Sequence, residues 1–147
     1  MPTNITDREV ITTRLFDATA EEMFTAWSDP KHLAKWWGPN GFTNTIHKFD
    51  FRNGGDWDFT MHSPDGIDYH NKNRFTEIVE NQRIVFDHIE PVHSFQVTAT
   101  FTPEENKTHC TFRMLFDSAE ECQRVKSFVA AANEENFDRL EKELLTI

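Results

Sequence analysis

The sequence holds only two cysteines, Cys110 and Cys122, and they form no C-x-x-C pair. Two isolated thiols supply neither a disulfide framework nor a thiolate zinc site. Seven histidines stand at positions 32, 47, 62, 70, 88, 93 and 109, with no H-x-H or H-E-x-x-H spacing. No local pair anchors a metal, so no metal and no cofactor are expected. Glycine is scarce, five in all, and Asn53-Gly54-Gly55 lacks the lysine and the following helix of a phosphate loop. No G-x-S-x-G or Cys–His signature marks a nucleophile, so no catalytic residue is assigned. Basic residues are the minority, 15 Lys and Arg against 25 Asp and Glu, for a net charge of −10. That sign opposes nucleic-acid phosphates and anionic membrane surfaces. No apolar run reaches the ~18 residues of a membrane span, and Met1 to Val10 lack the apolar stretch of a signal peptide. A cytoplasmic protein with free thiols is expected, with no nucleic-acid partner and no membrane insertion.

What the chain has in excess is aromatic: 14 Phe and 4 Trp against a single Tyr. Phenylalanine brings volume without a polar handle, so the rings serve either a dense core or the wall of a cavity. At 147 residues the chain needs no disulfide or metal to bury a sufficient core. No linker, repeat or low-complexity tract divides it. Residues 1–147 are expected to form one domain, with its core at about 8–145.

Val10–Phe16 is rich in β-branched residues and reads as a first strand. Thr19-Ala-Glu-Glu22 is a capping box opening a helix that carries Met23, Phe24 and Trp27. Asp29-Pro30 starts a second short helix, with Leu33, Trp36 and Trp37, that Gly38 closes. From Phe42 to Phe116 the period changes to two. Strands are expected at Thr43–Arg52, Asp56–His62, Tyr69–Ile78, Arg83–Ile89, His93–Phe101 and His109–Phe116. Turns separate them at Asn53-Gly54-Gly55, Pro64-Asp65-Gly66, Asn81-Gln82, Glu90-Pro91-Val92 and the polar stretch Pro103–Lys107. Short turns between strands predict an antiparallel meander. A second capping box, Ser118-Ala-Glu-Glu121, opens a long final helix running close to Ile147. Its apolar positions are Cys122, Val125, Phe128, Val129, Ala132, Leu140 and Leu144, and Glu135 and Arg139 are spaced for an ion pair. The fold class is α+β: six to seven curved antiparallel strands whose apolar face the last helix covers.

Trp36-Trp37-Gly38-Pro39, Phe49-Asp50-Phe51-Arg52-Asn53-Gly54-Gly55-Asp56-Trp57 and Arg83-Ile84-Val85-Phe86 resemble segments of the START-like (helix-grip) superfamily. The order and spacing of these segments, with Phe116 to Cys122 before the last helix, are most similar to bacterial members of the activator of heat-shock-protein-90 ATPase branch. The resemblance covers about Arg8 to Leu145. It implies a curved sheet gripping the C-terminal helix with an apolar cavity between them. It also implies a small hydrophobic ligand, of lipid, acyl or aromatic polyketide-like type. Relatives that catalyse cyclisation make a cyclase- or hydrolase-like enzyme one alternative, and the family name makes a chaperone partner another. The eukaryotic activator works with a further N-terminal domain, so the family name does not by itself set the activity.

Alternation groups Trp57, Phe59 and Met61 on one face, and likewise Phe95, Val97, Ala99 and Phe101, and Phe112, Met114 and Phe116. Opposite them the helix offers Phe128 and, after the small run Ala130-Ala131-Ala132, Asn136. Tyr69, Asn71 and Asn73 share one parity, as do Ile84, Phe86 and His88. The expected ligand-binding set is Trp37, Trp57, Phe59, Met61, Tyr69, Asn71, Phe86, His88, Phe95, Phe112, Met114, Phe128, Ala132 and Asn136. The competing readings are a solid core of interlocked rings and an Asn136 amide bonded to strand or loop backbone. Asp50 and Arg52 are expected to form a salt bridge rather than an acid–base site. The ligand's identity and the oligomeric state stay open at the level of sequence.

Overall fold

A computed structural model describes residues 3–5, 7–90 and 95–147. The elements follow in the order β1 (Thr3–Ile5), β2 (Glu9–Phe16), α1 (Ala20–Ser28), α2 (Pro30–Trp36), β3 (Thr43–Phe49), β4 (Asp56–His62), β5 (Asp68–Val79), β6 (Arg83–Glu90), β7 (Phe95–Glu104), β8 (Lys107–Phe116) and α3 (Ala119–Leu144). All strands join one antiparallel sheet in the order β1-β2-β8-β7-β6-β5-β4-β3. The meander β3 to β8 is therefore extended by the earlier strand β2, which pairs with β8 from Glu9↔Leu115 to Phe16↔Thr108. The expected strands are all present, and β1 adds a short outer one beside β2.

Local chemistry accounts for the boundaries. Thr19 and Glu22 form the full capping box, with Glu22 N–H to Thr19 Oγ1 at 3.1 Å and Thr19 N–H to Glu22 Oε1 at 2.9 Å. Asp29 caps α2 with Pro30 at its first position. Ser118 Oγ accepts the Glu121 N–H at 3.1 Å at the start of α3.

β3 stops at Phe49, three residues before the expected Arg52, because Asp50 to Gly55 curl into a turn docked on β5. Gly54 N–H reaches Phe75 O at 2.7 Å, and Phe75 N–H reaches Gly55 O at 2.9 Å. A Cβ on Gly55 would lie 2.0 Å from Asp50 O, so no other residue fits there. Within this turn the Arg52 guanidinium clasps the Asp50 carboxylate at 2.8 Å, the pairing expected from sequence.

β7 runs on to Glu104 and β8 starts at Lys107, each further than expected, so the polar stretch Pro103–Lys107 is a tight hairpin. Glu105 takes the left-handed backbone (φ 58°) that so short a connection demands, as Asn81 does (φ 61°) between β5 and β6. Glu90 ends β6 rather than opening the expected turn, and Pro91, Val92 and the strand start at His93 lie outside the described residues.

Candidate functional site

α3 does not cover the sheet evenly. Its backbone runs close to β1, β2, β8, α1 and α2 and, among the described residues, to none of β3–β7. The C-terminal half closes the core: Phe137 meets Phe16 edge-on at 5.2 Å and Phe112 at 6.0 Å, and Leu140 and Leu144 are buried beside it. The earlier half stands off, and Phe128 is 73% exposed. Between that half and strands β4–β8 lies a cavity of about 500 Å³, within the usual size range of small-molecule sites.

Thirteen of the fourteen residues expected to bind ligand line it. Phe59 and Met61 come from β4, Tyr69 and Asn71 from β5, Phe86 and His88 from β6, Phe95 from β7, and Phe112 and Met114 from β8. Trp37 contributes from just after α2, and Phe128, Ala132 and Asn136 from α3. Trp57 is the exception. It is 1% exposed, stacked on Phe59 at 4.5 Å and closed over by Trp37 at 5.0 Å, so it supports the wall from behind. Alternation fixes the face a residue occupies, not how far along the strand the cavity extends.

Sequence reasoning missed the rim formed by Gly38, Pro39 and Phe42; Asn73 and Val97, which alternation groups with the pocket residues, line the cavity too, as do Val129 and Asn133 of α3. It also misassigned Arg139. Instead of pairing with Glu135, its two Nη atoms donate to the carbonyls of Lys35, Trp37, Gly38, Pro39 and Phe42 at 2.8–3.1 Å. Glu135 Oε1 accepts the Asn40 N–H at 2.9 Å, and Asn136 Oδ1 accepts the Gly38 N–H at 3.1 Å. A loop whose backbone groups have no regular helix or strand partners outcompetes a solvent-exposed ion pair for these side chains. Burial pulls the Arg139 pKa down from its ordinary value, yet a guanidinium remains charged. The rim is thus held by three neighbouring helix residues, 135, 136 and 139.

Residues 17–145 match the family described as activator of Hsp90 ATPase homolog 1-like protein. The chain belongs to that family. No curated protein matches its sequence. A solution structure of a protein from Arthrobacter aurescens has a TM-score of 0.92 at 24% identity, covering 99% of this chain and 91% of that one. A crystal structure of a protein from Mycobacterium smegmatis has a TM-score of 0.87 at 24% identity, covering 99% and 98%. The AHSA1 protein from Silicibacter pomeroyi has a TM-score of 0.76 at 20% identity, covering 94% and 98%. At these identities the likeness extends to the fold, the α+β helix grip.

In this family member the polar groups of the cavity are few. Asn73 Oδ1 lies 2.8 Å from His88 Nδ1, and an amide oxygen only accepts, so that nitrogen carries the proton. The imidazole is stacked on Phe95 at 4.6 Å. Asn133 Nδ2 points at Met114 Sδ, 3.4 Å away, and Asn71 Nδ2 donates to Tyr69 O at 3.0 Å. Among the described residues no Lys, Arg, Asp or Glu lines the cavity. His47, His62 and His70 lie elsewhere, on β3–β5, bonded to Thr60, Asp68 and Asp58. No group of three or more His, Cys, Asp or Glu is placed to hold a metal among the described residues. No described helix is long and apolar enough to cross a membrane. A second hollow, rimmed by Asp7, Arg8, Glu9, Arg113 and Leu115, is polar and tied up internally: Arg113 pairs with Glu9, and Arg8 Nε donates to Phe116 O at 3.1 Å.

Proposed function

We propose that this protein binds a small hydrophobic molecule in the cavity between strands β4–β8 and the first half of α3. The observation that carries this reading is the cavity itself: about 500 Å³, walled by rings, with its opening beside Phe128 and Tyr69. An apolar interior of that size left empty forgoes dispersion contacts that a ligand would restore. Membership of the activator-like family is compatible with ligand-binding and with chaperone-related roles, and the cavity favours the former. The whole chain then acts as one domain whose fixed core supports a binding half.

N-phenyl-1-naphthylamine, an uncharged apolar dye, tests it. The dye should bind at one equivalent and raise the melting temperature, because it stabilises only the folded state. Ala132→Trp, which fills the cavity from the helix side, should abolish that binding and leave cooperative unfolding in place. Absence of dye binding to the unmodified protein would remove the cavity as a site and favour recognition through the surface.

A further inference from the structure

The cavity combines rings with side-chain amides and, among the described residues, holds no Lys, Arg, Asp or Glu. Asn73, Asn133 and Asn136 are 2%, 6% and 5% exposed, so each is more than nine-tenths buried, and all three line the cavity. Asn136 spends its oxygen on Gly38 N–H, and its Nδ2 has no partner among the described residues. Asn133 spends its Nδ2 on the weak acceptor Met114 Sδ, and its Oδ1 likewise has no partner among them. Neither free atom is sealed within the protein, in contrast to the indole nitrogens of Trp27 and Trp57. A buried amide half that bonds nothing costs stability unless something in the cavity completes it. At i and i+3 on α3 the two side chains are neighbours, so they offer one donor and one acceptor side by side.

Among the described residues no Lys or Arg lines the cavity to balance an anion, and its one imidazole, His88, is bonded to Asn73 and stacked on Phe95. The guanidinium nearest in sequence, Arg139, commits both Nη atoms to five loop carbonyls. A carboxylate brought into such a site would leave water without a counter-charge, which is costly. A carboxamide, by contrast, has one acceptor and one donor arranged to meet Asn136 Nδ2 and Asn133 Oδ1.

Resting on the proposed binding function, we infer that the cavity selects uncharged aromatic molecules bearing a carbonyl with an adjacent donor, held by Asn133 and Asn136, and rejects the corresponding anions. These two residues set specificity, and the rings supply the bulk of the contact.

The test is a matched pair, 2-naphthamide and 2-naphthoate, competing with N-phenyl-1-naphthylamine at neutral pH. The amide should displace the dye at a concentration at least about tenfold lower than the acid, since an unpaired buried charge costs more than a paired amide. Asn136→Asp keeps the acceptor for Gly38 N–H but replaces the free donor, and should weaken the amide about tenfold more than it weakens the dye. Asn133→Leu removes the acceptor without adding charge and should shrink the same preference, so the test survives if the aspartate variant does not fold. Equal displacement by amide and acid, or a stronger effect of the acid, would overturn this inference while leaving the cavity as a binding site. An amide preference unchanged in both variants would equally overturn the roles of Asn133 and Asn136. Failure of the dye to bind at all would remove the underlying binding function, and this inference with it.

Discussion

The two halves of α3 share one helix and one apolar stripe, yet they treat that stripe differently. From Asn133 to Leu144 the large side chains Phe137, Leu140 and Leu144 are buried against β2, β8 and the short helices. From Val125 to Ala132 the corresponding positions are half-buried, and Phe128 is exposed. The difference is one of partners. The later half meets Phe16 and Phe112 below it and is pinned by Arg139 to the carbonyls of residues 35–42. The earlier half presents Val129 and the small Ala132 to the cavity, and among the described residues none from α1 or α2 lines that gap. An amphipathic pattern therefore records which face is apolar, but whether that face is closed depends on what stands opposite.

The sharpest way to break this comparison is to truncate one ring in each half. Phe137→Ala should cost about 3–5 kcal/mol, the range for a fully buried aromatic side chain, measured by denaturant unfolding. Phe128→Ala should change stability by less than about 0.5 kcal/mol, as exposed substitutions do. If binding uses the cavity, the same Phe128 variant should still weaken the apolar dye several-fold through lost contact area. Comparable stability losses in the two variants would mean that the earlier half is as firmly packed as the later one.

Arg139 gives the next largest effect. Arg139→Met keeps the apolar stem and removes the donors from five backbone carbonyls. The partly exposed carbonyls recover water, so the expected loss is about 2 kcal/mol, in the range for a hydrogen bond to a charged group. Amide exchange should quicken selectively at Gly38 and Asn40, whose N–H groups Asn136 and Glu135 hold, while β8 keeps its protection. Uniform acceleration would show instead that Arg139 supports the whole fold rather than the rim.

Much of this arrangement was legible in the sequence, and most of the missing parts share a cause. Period-two alternation placed Phe59, Met61, Phe95, Phe112 and Met114 on the inner face, and the caps at Thr19, Asp29 and Ser118 start the helices where expected. Those features depend on neighbours within a few residues. Phe137 was passed over in the interval from Ala132 to Leu140, although it lies four residues after Asn133 and three before Leu140, on the buried stripe. Arg139 and Glu135 carried the spacing of a local ion pair, and only the folded loop at residues 35–42 supplies the competing carbonyls and N–H. Trp57 has the right parity and the wrong depth. For Arg139, Glu135 and Trp57 the deciding partner is distant in the chain, whereas the spacing of Phe137 is itself a local signal.

The two cysteines extend the comparison with the smallest expected change in stability at neutral pH. Cys122 lies in the first turn of α3, and Cys110 lies inside β8, paired with Arg14 of β2 and Phe101 of β7. Both are free and buried, and burial raises both thiol pKa values. Exposing Cys110 requires the sheet to open, whereas Cys122 is freed by fraying of the helix start alone. Iodoacetamide should therefore label Cys122 of the native protein well before Cys110, with Cys110 labelling following global unfolding. Above pH ~8.5 an unfolded thiol loses its proton while the buried one keeps it. The unfolded state then binds fewer protons than the native one, so stability should fall as pH rises through that range. Replacing Cys110 by Ala should flatten that decline, whatever packing it costs at neutral pH. Equal labelling rates for the two thiols would mean that α3 opens only with the sheet, and that its two halves form one cooperative unit.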